Sequence, residues 1–144
     1  MQYLLKPVLL AVLTVFGAAL TIVPAHAQTG SRALANIPFD FSVGNTMLKA
    51  GSYSLEQLQS GILALSSSDS KEHQFAMTLP GDSDQQSQKS HLVFIRYGSE
   101  VFLKKVSLSG NENSYELPES RRERELIRKQ TPGAELSLLI PPTR

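Results

Sequence analysis

The 144-residue chain contains no cysteine. This absence excludes disulfide bonds, a thiol nucleophile and a lipid anchor on an N-terminal cysteine. Small exported domains often depend on disulfides for stability. A domain without them must be held together by the packing of its core.

Metal ligands and catalytic motifs are also scarce. His73 and His91 are the only histidines outside the N-terminal segment, too few for a histidine-based metal site. Residues 82–84 resemble the start of a calcium loop, but Ser87 and Val93 occupy the positions that require glycine and glutamate. No G-x-S-x-G motif surrounds any serine. The sequence therefore predicts no catalytic residue, no metal and no cofactor.

Residues 1–27 have the pattern of a cleavable signal peptide. Lys6 precedes an almost unbroken apolar run over residues 8–23, and Ala25 and Ala27 are the small residues that signal peptidase requires. As a helix, the run spans about 24 Å, less than the roughly 30 Å of a bilayer's hydrocarbon core. We therefore favour cleavage over a transmembrane anchor.

The mature chain is predicted to begin at Gln28 and to form one mainly β domain, residues 28–144, with an ordered core over about 36–140. Loss of Lys6 leaves 13 basic and 13 acidic residues, so this domain is formally neutral. A neutral domain does not indicate nucleic acid as a partner. The expected location is the periplasm or the extracellular space, with no membrane span after processing.

Alternating apolar side chains predict the strands. Ile37, Phe39, Phe41 and Val43 alternate with polar residues and with Pro38, which favours an edge or the start of a strand. Further strands are predicted near 53–55, 62–65, 74–79 and 136–140. The continuously apolar segment at residues 92–95 and the strand predicted at residues 101–108 together predict a central hairpin over residues 92–108. We expect an antiparallel β-sandwich or small barrel of six to seven strands, with one helix near the C-terminus.

A polar loop separates two of these strand regions. Residues 80–90 contain no apolar side chain able to enter a core. Nothing in this segment offsets the entropy of ordering it. We predict a surface loop that is the first site of proteolysis.

The predicted helix covers residues 120–130. Ser120 and Glu123 form a capping-box pattern, and the segment at 131–133 ends the helix. Leu126 and Ile127 are its only large apolar residues, so we expect them to face the domain.

Three arginines of this helix share an outer flank at i, i+3 and i+7. They are candidates for binding an anionic partner such as a lipid headgroup or an acidic polysaccharide. The alternative is a solvated helix face with internal ion pairs, and we favour it. The residues concerned are Arg121, Arg124 and Arg128.

Most of the mature chain resembles a family of small exported proteins of uncharacterised function, common in acidobacterial genomes. The motifs that carry the resemblance follow one another in the same order as in the family: residues 37–41, 50–53, 92–94, 96–98, 102–103 with Val106, 116–118, 120–121 and 123–126. Ser107 departs from the pattern, since an aromatic residue often follows the Val106 position. The resemblance implies export and a compact domain, and it supplies no activity and no site residues.

Three classes of function stay open at this point. We favour a non-catalytic exported protein with a binding or structural role, acting on an anionic envelope component or another protein. The alternative is a small barrel that carries an apolar ligand, in which aromatic residues would line a cavity instead of filling the core. A hydrolase is less favoured, and its candidate carboxylates would be Asp40, Glu56 and Glu100.

Overall fold

A computed structural model describes residues 32–59, 61–69, 71–82, 89–109 and 114–141. The predicted signal peptide, with Ala25 and Ala27, lies outside these residues. The described ranges contain one helix, α1 (Arg121–Arg128), and eleven strands. The strands are β1 (Arg32–Ile37), β2 (Phe41–Val43), β3 (Thr46–Leu48), β4 (Gly51–Gln59), β5 (Ile62–Ser67), β6 (His73–Met77), β7 (Leu79–Pro80), β8 (His91–Tyr97), β9 (Glu100–Ser107), β10 (Tyr115–Glu116) and β11 (Gly133–Leu139). Seven of them have five or more residues and four have two or three.

The strands form two curled sheets that together make a half-barrel. The first sheet has the order β1-β4-β5-β6, and the second has the order β11-β8-β9-β10-β7. Strands β2 and β3 form a small hairpin attached to β9 through a parallel contact between Ser42 and Phe102. The predicted mainly β fold with one helix is confirmed, and the β2–β9 contact makes the second sheet mixed instead of purely antiparallel.

The first predicted strand is divided in two. Ile37, Phe41 and Val43 are buried in alternation with exposed or half-buried neighbours, as expected. Pro38 separates β1 from β2, because proline has no backbone N–H with which to continue a ladder. Strand β1 begins at Arg32, before the predicted start near residue 36, and its small residues pack against β4.

The hairpin predicted over residues 92–108 is confirmed as β8 and β9. It lies in the middle of the second sheet, between β11 and β10. Phe94 and Leu103 are fully buried in the main core, while Phe102 is buried on the opposite face. The hairpin is therefore covered on both sides.

Edge-to-face aromatic contacts fill the centre of the core. The ring centroids of Phe39 and Phe94 are 5.2 Å apart, and those of Phe41 and Phe94 are 5.6 Å apart. Tyr53 contacts Phe41 at 5.4 Å. These rings pack edge to face within the core.

Helix α1 has the predicted capping box. The backbone N–H of Glu123 donates to Ser120 Oγ at 3.1 Å, and the Ser120 N–H donates to Glu123 Oε2 at 3.3 Å. The predicted orientation of Ile127 is wrong, because its side chain is 39% exposed. Leu126 and Glu123 are the buried residues of the helix, and they lie three positions apart on one helix face.

The predicted loop over residues 80–90 is shorter than expected at both ends. Pro80 belongs to β7 and pairs with Tyr115 of β10. Ser90 is buried, and its Oγ accepts a hydrogen bond from the Ser109 N–H at 2.8 Å. Residues 83–88 lie outside the described part of the chain, and proteolysis there stays a prediction.

Candidate binding groove

The three arginines identified from the sequence are exposed on α1. Arg128 Nε donates to the carbonyl oxygen of Arg124 at 3.3 Å. These two arginines, Glu119 and Ile127 line a shallow depression of about 390 Å³. Arg121 is not among the lining residues, and its backbone N–H donates to Asn45 Oδ1 at 3.4 Å. The structure therefore brings two of the three candidates together, beside an acidic residue.

Other charges of α1 are held by ion pairs. Arg122 Nε lies 3.0 Å from both carboxylate oxygens of Glu100 on β9, and its Nη1 lies 3.4 Å from Glu125 Oε2. The hydrogen bond and positive charge of Arg122 lower the pKa of Glu100 below its usual range. The charge of Arg122 is therefore paired with Glu100 of the sheet, so it adds little to the positive charge of the outer helix surface.

The inner side of α1 is anchored by a second ion pair. Lys104 Nζ of β9 lies 3.0 Å from Glu123 Oε1 and donates to Oε2 at 3.2 Å. Tyr97 and Phe102 lie under the helix with ring centroids 6.0 Å apart. Burial, reinforced by the charges of Glu123 and Glu119, raises the pKa of the Tyr97 phenol. This side of the helix is packed against the sheet, so it offers no binding site.

A different surface has an apolar row exposed to solvent. Phe75, Met77 and Leu79 follow one side of β6 and β7 and are 59%, 79% and 60% exposed. The single strand predicted near residues 74–79 is divided into β6 and β7, which belong to different sheets. The opposite side is the one that faces inward, because Ala76 packs against the core and Thr78 is buried.

The apolar row continues across the sheet. Ile62 of β5 pairs with Met77 and is exposed, whereas Ala64, which pairs with Phe75, is buried. Leu58 is exposed at the irregularity where β4 meets β5. Neighbouring apolar side chains on one outer face form a patch, and such patches are typical of interaction sites in soluble proteins.

A groove borders this patch along β6. It has a volume of about 280 Å³ and separates β6 from the turn between β2 and β3. It is lined by Val43, Gly44, Asn45, Thr46, Gln74, Phe75, Ala76, Met77, Leu117 and Pro118. None of these side chains is charged, so an apolar or neutral polar ligand suits the groove.

The backbone of β6 also faces the groove. Among the described strands, β6 pairs with β5 only. The Thr78 N–H donates to Gly61 O at 2.8 Å, so alternation along an antiparallel pair directs the N–H groups of Ala76 and Gln74 toward β5 as well. The backbone groups of His73, Phe75 and Met77 therefore point away from β5. One of them, the carbonyl oxygen of Phe75, accepts a hydrogen bond from Gln74 Nε2 at 2.9 Å.

Sequence reasoning did not identify this groove. Period-two alternation at Phe75, Met77 and Leu79 predicts a strand with two unlike faces. It does not say which face the rest of the domain covers. The opposite wall, residues 43–46, comes from about thirty residues earlier in the chain, and nothing local connects it with β6.

The described residues contain no group of three or more His, Cys, Asp or Glu side chains placed to hold a metal ion. Within the same residues, no helix has the length and apolar character needed to cross a membrane.

Comparison with known protein families, curated proteins and solved structures returned no match to this chain.

Proposed function

We propose that the protein is an exported, non-catalytic binding protein that holds a partner in the groove beside β6. The observation that carries this proposal is an uncharged groove, bordered by an exposed apolar row and by an edge of β6 with which no other described strand pairs. Leaving large apolar side chains in water forgoes about 25 cal/mol for each Å² that could be buried. Binding a partner there recovers that free energy.

The N-terminal pattern supports export. An apolar run preceded by Lys6 and followed by Ala25 and Ala27 is typical of a cleaved signal peptide. The resemblance to small exported proteins also supports export. We therefore place the binding reaction in the periplasm or outside the cell.

A barrel that carries a small apolar ligand is the alternative. Such carriers need a cavity of about 300 Å³ or more that encloses most of the ligand. The groove approaches this size with about 280 Å³, but it lies at a sheet edge. Phe41, Phe94 and Tyr53 occupy the interior where a carried ligand would be enclosed. The geometry therefore favours a partner bound along the edge.

A hydrolase is favoured less. Each candidate carboxylate is engaged by a basic side chain of its own: Asp40 lies 2.9 Å from Lys49, Glu56 lies 2.8 Å from Arg32, and Glu100 is held by Arg122. A pair of acids for general acid–base chemistry must instead converge on one substrate.

Native mass spectrometry of protein purified from its own cell envelope tests the proposal. We expect a co-purified mass with the wild type and its loss in Met77→Glu, because a carboxylate in an uncharged groove opposes apolar contact. Leu139→Glu is the matched control, since Leu139 is also exposed but lies on β11 in the other sheet. Equal losses in the two variants would reject the groove as the binding site.

The same material tests export. We expect N-terminal sequencing to start at Gln28. Recovery of residues 1–27 on protein in the membrane fraction would contradict cleavage.

A further inference from the structure

We propose that the groove binds its partner by strand addition. In this mode a single extended segment of another protein, uncharged and apolar at alternate positions, pairs with the edge of β6 that faces the groove. The inference rests on the proposed function and names the class of partner and the mode of contact.

The first argument is the backbone of β6. Phe75 and Met77 direct their N–H and C=O groups away from β5 and toward the groove, as the bonding of Thr78 to Gly61 requires. A strand edge of this kind is a template for another extended chain, and strand addition is a recurring mode of peptide recognition. An added strand would extend the sheet β1-β4-β5-β6 by one member.

The second argument is the position of Gln74. Its side-chain amide donates to the carbonyl oxygen of Phe75 at 2.9 Å, on the edge of β6 that has no neighbour among the described strands. This is the kind of bond that a backbone N–H of an added strand supplies. Gln74 therefore satisfies one edge acceptor in the free protein and must release it when a partner strand pairs there.

The third argument concerns the side chains of the added strand. On one face they would lie beside Phe75 and Met77, which are exposed and apolar. On the other face they would point toward Val43 and Leu117, which line the groove and are buried. Neither face offers a charged residue to pair with an acid or a base, so the partner segment must be uncharged where it lies in the groove.

The chain's own remaining segments do not fit this description. Residues 28–31, 83–88, 110–113 and 142–144 contain no large apolar side chain. The predicted signal peptide is apolar, but in the proposed mature protein it has been removed. We therefore take a segment of another molecule, and none of these segments, as the occupant.

A second copy of the protein fits poorly. Pairing two β6 strands would bring a complete sheet against the edge of each copy. The turn at residues 43–46 and the segment at Leu117–Pro118 form the opposite wall of the groove. Because this wall stands opposite β6, we take a single strand and not a sheet as the occupant.

The probe for the experiment is a library of heptapeptides with Val, Ile, Leu or Phe at odd positions and Thr at even positions. The tightest-binding member is selected on mature protein, residues 28–144. Hydrogen exchange measured by NMR should then show at least about tenfold slower exchange of the Phe75 and Met77 amides in the complex. The Ala76 and Thr78 amides, which face β5 and the preceding Gly61, should change little and serve as internal controls.

N-methylation of the selected peptide provides the decisive comparison. Methylating the amides of one alternate set should weaken binding at least about tenfold, since those groups face β6. Methylating the other set should have little effect, because those groups face away. Equal effects of the two sets would overturn strand addition.

The remaining outcomes separate this inference from the proposed function. If the Met77→Glu variant does not bind the selected peptide while the wild type binds both methylated sets equally well, the groove contacts the side chains of the peptide and not its backbone. In that case only strand addition fails. If no library member binds although the native partner is lost from Met77→Glu, the partner class is wrong and the binding groove stands. If Phe75 and Met77 become protected with rising concentration of the protein alone, a second copy occupies the edge and the commitment to another protein fails.

Discussion

Two hairpins of this protein both contain apolar strand residues, but they differ in how much of each is covered. The β8–β9 hairpin has β11 on one side, β10 on the other and α1 over its outer face. The β5–β6 hairpin has β4 on one side and the groove on the other. Phe94 in the first is fully buried, whereas Phe75 in the second is more than half exposed. The exposure of an apolar strand is thus decided by the elements that distant parts of the chain place beside it.

The two phenylalanines give the strongest test of this comparison. Phe94→Ala should lower the free energy of unfolding by about 3–5 kcal/mol, the usual cost of emptying a packed aromatic site. Phe75→Ala should change it by about 0.5 kcal/mol or less, because no packed site is emptied. Urea denaturation followed by far-UV circular dichroism measures both. Similar losses in the two variants would mean that β6 is as well covered as β8.

The attachment of α1 to the covered hairpin gives the second test. Lys104→Met leaves the buried carboxylate of Glu123 without its ammonium partner and should cost about 3 kcal/mol in the free energy of unfolding. Lys105→Met is the matched control, because Lys105 lacks this contact with Glu123. It should lower the free energy of unfolding clearly less. Denaturation midpoints distinguish the two variants.

A compensating change sharpens this second test. Adding Glu123→Leu to Lys104→Met removes the unpaired charge and should recover part of the loss, less the contribution of the capping box. If the double variant were no more stable than Lys104→Met, the ion pair would not be the source of the effect.

Local patterns in the sequence were enough to predict the parts of the fold that short segments determine. The capping box depends on Ser120 and Glu123, three residues apart, and the central hairpin joins strands adjacent in the chain. Both predictions are confirmed. The mainly β class follows from alternation that is also local.

Contacts between distant segments were not predictable in the same way. Ile127 was expected to face inward because it is apolar, but Glu123 takes the buried position since Lys104, nineteen residues earlier, neutralises it. The groove likewise needs residues 43–46 and β6 to meet across the half-barrel. The sequence of neither segment alone predicts that the two will lie side by side.

The outer flank of α1 gives the smallest expected effect. Arg121, Arg124 and Arg128 are exposed, and replacing all three with Gln should change the free energy of unfolding by about 0.5 kcal/mol or less. We also expect no measurable change in binding to anionic lipid vesicles. Of the three arginines, only Arg124 and Arg128 line the same depression. Glu119 also lines it, and its negative charge weakens the attraction of the depression for an anion.

Arg122→Gln is the control for this last prediction, because it removes the ion pair with Glu100 and leaves the outer flank intact. It should lower stability more in neutral than in acidic solution. The lowered pKa of Glu100 means that the pair contributes above the unfolded pKa of this carboxyl and is lost as the pH falls through the folded one. Vesicle sedimentation at low and at high salt, with all three proteins, decides between the two interpretations of the flank. Salt-sensitive binding by the wild type and by Arg122→Gln, but not by the triple variant, would show that the flank recognises an anionic surface and is not merely solvated.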